Sequence, residues 1–254
     1  MEQERRHLLD IYTAAIDAVA GDFVVRKSLV SSGYDSKCHV IAIGKVADSM
    51  MQGALDVLQD NLLSGLLISK KENFSADILN ESRLKCVAGD HPIPADNSLQ
   101  AGRQLLDYLD QLPNDEPCLF LISGGTSSLV EVLVEGVTLA DLQSVNNTLL
   151  ASGKDIHEIN AVRKRMSRIK GGGLWDYLSD REVHCLMISD VRGDNPKIIG
   201  SGLLFSDSKE NYPTSFSWEV VANLDHAKAA AKRKAECLGY SAEAVEHFMQ
   251  GSAE

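Results

Sequence analysis

The sequence predicts a three-layer α/β fold, in which a mostly parallel sheet carries helices on both faces. Short apolar runs alternate with amphipathic helical stretches along the 254 residues, and this alternation indicates βαβ units. Hydrophobic residues make up 44% of the chain and charged residues 24%, as in ordinary globular domains. A chain of this length and composition can bury a core without disulfides or structural metals.

The predicted elements follow in order along the chain. Residues 4–20 predict an amphipathic helix whose apolar face carries Leu8, Leu9, Tyr12, Ile16 and Val19. The predicted strands are Cys38–Ile43, Gly65–Ser69, Leu84–Ala88, Pro117–Ile122, Val183–Ile188 and a last short one at Val220 and Val221. The other predicted helices are Val46–Leu58, one capped by Asn97 or Ser98 and ending near Leu109, Leu139–Ala151 capped by Thr138, Asp155 to about Arg168, and Asp225–Leu238.

Charge and cysteine usage exclude several classes of function. The formal net charge is −11, so the chain as a whole repels phosphate backbones and anionic lipid, and we expect neither nucleic-acid nor membrane binding. No stretch is long and apolar enough to cross a bilayer, and the N-terminus lacks a secretory signal. The 5 cysteines show no metal or redox spacing and are expected to be buried, reduced thiols in a cytoplasmic protein.

Chemically active residues follow four of the predicted strands. In parallel, Rossmann-like sheets, ligands collect beyond the carboxyl ends of the strands. The first strand is followed by Gly44-Lys45, the third by His91-Pro92, the fourth by Ser123–Ser128 and the fifth by Ser189–Asp194. This concentration of a lysine, glycines, hydroxyls and carboxylates at strand ends predicts a ligand site there.

The segment Ser123–Ser128 (SGGTSS) predicts an anion cradle. Its glycines let backbone N–H groups approach an anion, and the start of a following helix adds positive partial charge. The chain has no G-x-x-x-x-G-K-[ST] phosphate loop and no G-x-S-x-G nucleophile elbow. An ordinary glycine turn is the alternative.

Lys45, Asp190 and Asp194 are the candidate polar groups at the first and fifth strand ends. Lys45 could neutralise charge on a transferring phosphoryl group, or it could be a solvent-exposed lysine at a helix start. Asp190 and Asp194 lie four residues apart and could share a hydrated Mg²⁺. The alternative is that Asp190 caps a turn and Asp194 is solvated.

A basic segment, Asn160–Gly173 (NAVRKRMSRIKGGG), stands out in this acidic chain. Helical spacing places Lys164 and Arg168 on one side of the predicted helix. Arg163 and Lys170 are the candidate clamp for a negatively charged ligand, because arginine binds anions bidentately and lysine binds them as a point charge. A solvated cationic face is the alternative. RNA binding is disfavoured because no aromatic residues interleave with the cations.

Taken together, these segments resemble the MOFRL-type glycerate 2-kinases, a family whose members are sometimes labelled hydroxypyruvate reductases. The resemblance rests on Gly44-Lys45-Val46-Ala47, His91-Pro92-Ile93-Pro94, Leu121–Gly125, Asn160–Lys164, Ser167–Gly172 and Ser189–Pro196, continued by Ser201-Gly202 and Asp207. Their order and rough spacing agree with the family from the first helix to about residue 240.

The resemblance implies ATP-dependent phosphorylation of D-glycerate, or a similar small hydroxy acid, to the 2-phosphate, with a divalent metal. The family's residues then match Lys45, Arg163, Lys170 and Asp190 as catalytic residues, with Asp190 and Asp194 as ligands of Mg²⁺. Ser123, Gly124, Gly125, Thr126 and Ser127 would bind the phosphates of ATP. NAD-dependent reduction is disfavoured because no G-x-G-x-x-G follows a strand.

Family members carry a second, C-terminal domain. The resemblance therefore implies that residues 1–254 are one glycerate-kinase-type N-terminal α/β domain, with the C-terminal domain absent from this sequence. The alternative function is a truncated, non-enzymatic or half-enzyme anion-binding module that needs a partner domain. A separate C-terminal domain or a second copy of the chain is the expected protein partner.

Overall fold

The computed structural model describes residues 2–151, 156–207 and 212–245, and its strands form one parallel sheet. The strands are β1 (Cys38–Ile43), β2 (Leu62–Ser69), β3 (Leu84–Ala88), β4 (Cys118–Ile122), β5 (Val183–Ile188) and β6 (Phe216–Ala222). The helices are α1 (Glu2–Asp17), α2 (Gly21–Ser32), α3 (Ala47–Leu58), α4 (Ala76–Asn80), α5 (Asp96–Gln111), α6 (Thr126–Leu129), α7 (Leu139–Ala151), α8 (Ile156–Arg165) and α9 (Leu224–Cys237). The predicted three-layer, Rossmann-like α/β class is confirmed.

The strand order is β3-β2-β1-β4-β5-β6, and every neighbouring pair is parallel. The chain moves outward from β1 to β3, then crosses back to continue on the other side of β1. This reversal makes the boundary between β1 and β4 the topological switch point, where such sheets open a crevice at their carboxyl ends.

Alternate side chains of the central strands enter two separate cores. Val40 and Ala42 of β1 pack with α2 and α3, whereas Ile41 and Ile43 pack with α5. The period of two in a strand sends successive side chains to opposite faces. Burial on both sides explains why the central strands are continuously apolar and could be located from sequence.

The predicted first helix is present as α1, but its apolar face is largely exposed. Leu8, Leu9, Tyr12 and Ile16 are between 48% and 67% exposed, and α1 has no buried residue. The helix packs on α9, and its half-buried residues include the small Ala14 and Ala15. Small residues let two helix backbones approach closely, which leaves the larger side chains of α1 outside.

Several element boundaries differ from the sequence prediction, among them the starts of α5 and β6. Helix α5 begins at Asp96, and the Asp90 carboxylate accepts the backbone N–H of Asn97 and of Ser98. Asn97 is therefore not the cap, because an acidic side chain from the preceding loop takes that role. Ser98 does take part in capping, because its hydroxyl accepts the Ala95 N–H at 3.2 Å. Strand β6 is longer than predicted, since its exposed residues Ser217–Glu219 on the sheet edge place Trp218 between two polar residues and so form no continuous apolar run.

Helix α8 ends at Arg165, three residues before its predicted end. The following segment instead pairs with residues 132–134, through Arg168 N–H to the Val132 carbonyl at 2.7 Å and an isolated bridge between Leu133 and Ser167. Lys164 and Arg168 consequently do not share a helix face. The predicted helix start at Asp155 lies outside the described residues.

The Thr138 cap is confirmed, because its hydroxyl accepts the Asp141 N–H at 3.2 Å.

Candidate functional site

The loops that follow β1 and β4 are joined at the switch point. Ser123 N–H donates to the Ile43 carbonyl at 3.0 Å, and Lys45 N–H donates to the Gly124 carbonyl at 2.9 Å. The Ser123 hydroxyl accepts the Val46 N–H at 3.3 Å. These bonds hold the lysine and the glycine turn in one arrangement.

Gly44 makes this close approach possible. Its φ is +138°, and a methyl group there would overlap the Ser123 hydroxyl and lie 2.8 Å from the Ser123 carbonyl oxygen. Any side chain would therefore be strained in its backbone conformation and would push the two loops apart.

Asp190, which follows β5, lies directly against the same turn. A methyl group at Gly124 would overlap the Asp190 carboxylate and lie 2.7 Å from its Cγ. The absence of a side chain at position 124 thus lets a carboxylate from one strand end reach the glycine turn of the neighbouring strand.

Lys45 and His91 meet over the next residue of the turn. A methyl group at Gly125 would lie 3.0 Å from Lys45 Cγ and 3.1 Å from His91 Cδ2. Burial lowers the pKa of His91, and the charges of Lys45 and Lys70 lower it further, whereas Asp190 opposes them. His91 belongs to a sequence motif that was recognised, but it was not predicted as a site residue.

The hydroxyls of the turn mainly hold its shape. Thr126 Oγ1 donates to the carbonyls of Ile43 and Ser123, both at 2.8 Å, and Ser127 Oγ lies 2.7 Å from Ser201 Oγ. Within the described part of the chain, the backbone N–H groups of Gly124 and Gly125 have no hydrogen-bond acceptor. A ligand anion would thus meet backbone donors at the two glycines.

Lys170 is buried beneath the turn. Its side chain is 1% exposed, and Nζ donates to the Ser127 carbonyl at 2.8 Å and forms an ion pair with the wholly buried Glu131. Burial lowers the pKa of Lys170, and the Glu131 carboxylate opposes this change. Burial also lowers the pKa of Arg163, which Glu131 again opposes. Both predicted cations are therefore gathered around a carboxylate that sequence reasoning missed.

We expect the Glu131–Lys170 pair to behave as a coupled unit in folding. Glu131→Leu or Lys170→Met alone leaves one buried charge without its partner and should lower the free energy of unfolding by about 3–5 kcal/mol. Urea denaturation of both single variants and the double variant measures this. The double variant should lose much less than the sum of the two single losses, whereas additive losses would show that the pair is not coupled.

Asp194 does not lie free in solvent. Its Oδ2 accepts the Asn223 side-chain amide at 2.6 Å, and it lines, together with Asp190, a cavity of about 630 Å³ at the ends of β5 and β6. Two carboxylates beside an anion cradle suit Mg²⁺, which takes one or two carboxylates together with phosphate oxygens. The described residues contain no cluster of three or more histidine, cysteine or acidic side chains arranged to hold a metal.

The cysteines are free thiols, and the predicted burial holds for Cys38, Cys118 and Cys185 but is wrong for the half-buried Cys86 and the exposed Cys237. Burial raises the pKa of Cys38 to about 11 and that of Cys118 to about 12, which keeps both thiols protonated at neutral pH. In the described parts of the chain, no helix combines the length and the apolar character needed to span a membrane.

The structure therefore brings the predicted residues together around one turn. Asp190 lies against Gly124 of this turn and Lys45 lies against Gly125. The buried Lys170 donates a hydrogen bond to the Ser127 carbonyl of the same turn. Arg163 lies near enough to Glu131 for their charges to interact. Asp194 shares a cavity with Asp190. His91 and Glu131 are the additional residues that the structure reveals.

The chain is similar to proteins named glycerate kinase, both in sequence and in structure. The D-glycerate 2-kinase of Thermotoga maritima is 34% identical over 207 residues, which cover 82% of this chain and 49% of that protein. The glycerate 2-kinase of Pyrococcus horikoshii is 35% identical over 222 residues, which cover 84% of this chain and 48% of the relative. The crystal structure of a glycerate kinase from Thermotoga maritima superposes with a TM-score of 0.84 at 28% identity, and covers 96% of this chain and 64% of that one.

The chain spans about half the length of the curated relatives it matches. The resemblance of this chain to the glycerate 2-kinases was already indicated by its sequence. A family model described as a domain of unknown function, DUF4147, matches residues 7–238. The chain therefore belongs to this family.

Proposed function

We propose that the chain forms the α/β domain of a kinase that uses ATP to phosphorylate D-glycerate, or a similar small hydroxy acid, to the 2-phosphate. The observation that carries this proposal is the meeting of Lys45, His91 and Asp190 over Gly124 and Gly125 at the switch point. Phosphoryl transfer needs mainly positioning and charge stabilisation, and this cluster offers a cation, a carboxylate and open backbone donors. Relatives named glycerate 2-kinase supply the substrate class.

In this reaction the 2-hydroxyl of the acid attacks the γ-phosphorus of ATP. A new oxygen–phosphorus bond forms, the bond to the β-phosphate oxygen breaks, and ADP leaves. Asp190 would accept the hydroxyl proton, because its carboxylate lies against the turn that holds the phosphates. The Lys45 ammonium would stabilise the negative charge that develops on the transferred group.

The turn itself would bind phosphate oxygens. The N–H groups of Gly124 and Gly125 offer the donors, and the engaged hydroxyls of Ser123 and Thr126 keep those donors in place. Buried Lys170 and its partner Glu131 would fix the turn from below. In the alternative role for Asp190, its carboxylate and that of Asp194 would hold Mg²⁺, which would supply positive charge against the phosphates. The free cysteines support a cytoplasmic location as part of the proposal.

ADP release by the purified chain, measured by a coupled assay, tests the proposal directly. We expect release that depends on ATP, on D-glycerate and on Mg²⁺, and phosphorus NMR should identify a phosphate ester at the 2-hydroxyl. Other small hydroxy acids in the same assay define the substrate range. If release requires a separately added second domain, the chain is instead the half-enzyme module that the sequence left open. If ADP release is absent with every acid and every added domain, the kinase proposal is wrong.

A further inference from the structure

The residues that follow β2 bind the backbone of the loop that carries Lys45. Ser69, the last residue of β2, is wholly buried, and its hydroxyl donates to the Gly44 carbonyl at 2.7 Å. The Asn73 side-chain amide donates to the Lys45 carbonyl at 2.8 Å and to the Ser69 hydroxyl at 3.3 Å. A hydrogen-bonded network therefore joins the end of β2 to the main chain of Lys45.

The Lys45 carbonyl lies just before the regular bonding of the next helix. Helix α3 begins at Ala47, and the bond that opens its ladder joins the Met50 N–H to the Val46 carbonyl at 3.0 Å. The carbonyl of Lys45 precedes this ladder by one residue. Its donor comes instead from Asn73, a side chain on another element.

Two neighbouring strand ends thus hold the Lys45 backbone. Its N–H donates to the Gly124 carbonyl at 2.9 Å, in the loop after β4, and its carbonyl accepts from Asn73, in the loop after β2. Strand β1 lies between β2 and β4 in the sheet, so the two bonds act from opposite sides. Together they fix both peptide units around the Lys45 Cα, and hence the direction in which its side chain leaves toward Gly125.

The loop that carries Asn73 is itself anchored. The Ser75 N–H and hydroxyl both donate to the Asp48 carboxylate, at 2.8 and 3.1 Å, and Asp48 belongs to the first turn of α3. Phe74 packs against the core on the same face of the sheet. Because its neighbours are held in this way, the Asn73 amide can fix the position of Lys45 rather than follow its movement.

We propose that Asn73 is a positioning residue, whose amide holds the Lys45 main chain so that the ammonium group reaches the phosphoryl group at Gly124 and Gly125. The catalytic part of this inference rests on the proposed kinase function. Asn73 bonds to the main chain of Lys45 and not to its ammonium group, so its effect on turnover passes through the lysine.

A double-mutant cycle between Asn73→Ala and Lys45→Met tests this role in the coupled ADP-release assay. Asn73→Ala should lower kcat about tenfold and change KM for D-glycerate less than about twofold, because Lys45 acts on the transition state. In the Lys45→Met background the same change should alter kcat less than about twofold, since the group that Asn73 positions is absent. Asn73→Leu keeps the shape of the side chain without its donor and should behave like Asn73→Ala.

Asn61 offers a matched control. It is half-buried, as Asn73 is, and its side-chain amide donates to the Asp35 carbonyl at 2.9 Å, away from the residues that meet at the glycine turn. Asn61→Ala should keep the kcat of its background in both proteins. A loss as large as that of Asn73→Ala would mean that removing any such bond slows turnover, and would overturn the positioning role.

Amide hydrogen exchange measured by NMR separates this inference from the proposed function. The Lys45 N–H should exchange at least about tenfold faster in Asn73→Ala than in the wild type, whereas Asn61→Ala should leave its rate unchanged. An unchanged rate in Asn73→Ala, or an equal loss of kcat with and without the Lys45 ammonium group, would overturn the positioning role and leave the kinase proposal intact. If the wild type releases no ADP with any acid or added domain, the proposed function fails, and the exchange rates alone then decide whether Asn73 holds Lys45.

Discussion

Replacing Lys45 with methionine should lower kcat for ADP release about 10²–10³-fold, the usual cost of removing one preorganised group that stabilises transition-state charge. The Lys45 side chain is exposed and extends over Gly125, so its charge contributes little to the core. The melting temperature should therefore stay close to that of the wild type. Methionine keeps the length of the side chain and removes only the ammonium group.

The matched control for this change is Lys27→Met, which removes an exposed lysine from α2. It should retain wild-type kcat, since its charge lies outside the residues that meet at the turn. Wild-type turnover by Lys45→Met would contradict the role given to the lysine. A large loss of melting temperature would show instead that Lys45 acts through folding.

Replacing Gly124 with alanine should also abolish most of the activity, although the protein should remain folded. The new methyl group would overlap the Asp190 carboxylate, and this carboxylate is the end of a side chain that can move aside. The free energy of unfolding should therefore change little. The carboxylate of Asp190, the proposed base, would however move away from the glycine turn. Misplacement of a reacting group by about 1 Å can cost about 10²-fold in rate.

Gly44→Ala is the informative comparison for Gly124→Ala. Its methyl group would lie 2.8 Å from a backbone carbonyl oxygen at a φ of +138°, so no side-chain movement relieves the strain. Gly44→Ala should therefore lose both stability and activity, whereas Gly124→Ala should lose activity alone. Calorimetric melting of the two variants separates these outcomes. Equal destabilisation of both variants would contradict the close approach of Asp190 to Gly124.

The central sheet could be predicted because its strands are buried on both faces. Cys38–Ile43 and Val183–Ile188 were predicted with the bounds that the structure has. Helix α2 was not predicted, although it buries Val24, Val25 and Leu29, because its N-cap Ala20 gives no capping signal. Strand β6 was predicted too short, because most of its residues are exposed or half-buried. The amphipathic spacing predicted α1 correctly, but such spacing alone does not distinguish a face that packs from one that is left exposed.

The site was predictable where it depends on topology alone. Parallel strands bring their carboxyl ends to one edge, and this rule was enough to place Lys45, Gly124 and Asp190 together. Glu131 could not be found in this way, because it follows the short helix α6 and meets Lys170 across 39 residues. The role of His91 depends on the close packing of its ring over Gly125, which no spacing rule indicates.

An NMR titration of the His91 imidazole tests the shared site most directly. In the wild type its pKa should lie below the ordinary value for histidine, because burial and the charges of Lys45 and Lys70 disfavour protonation. Lys45→Met removes a positive charge and should raise this pKa, whereas Asp190→Asn removes a negative charge and should lower it. A His91 pKa that is the same in all three proteins would contradict the meeting of these strand ends in a single site.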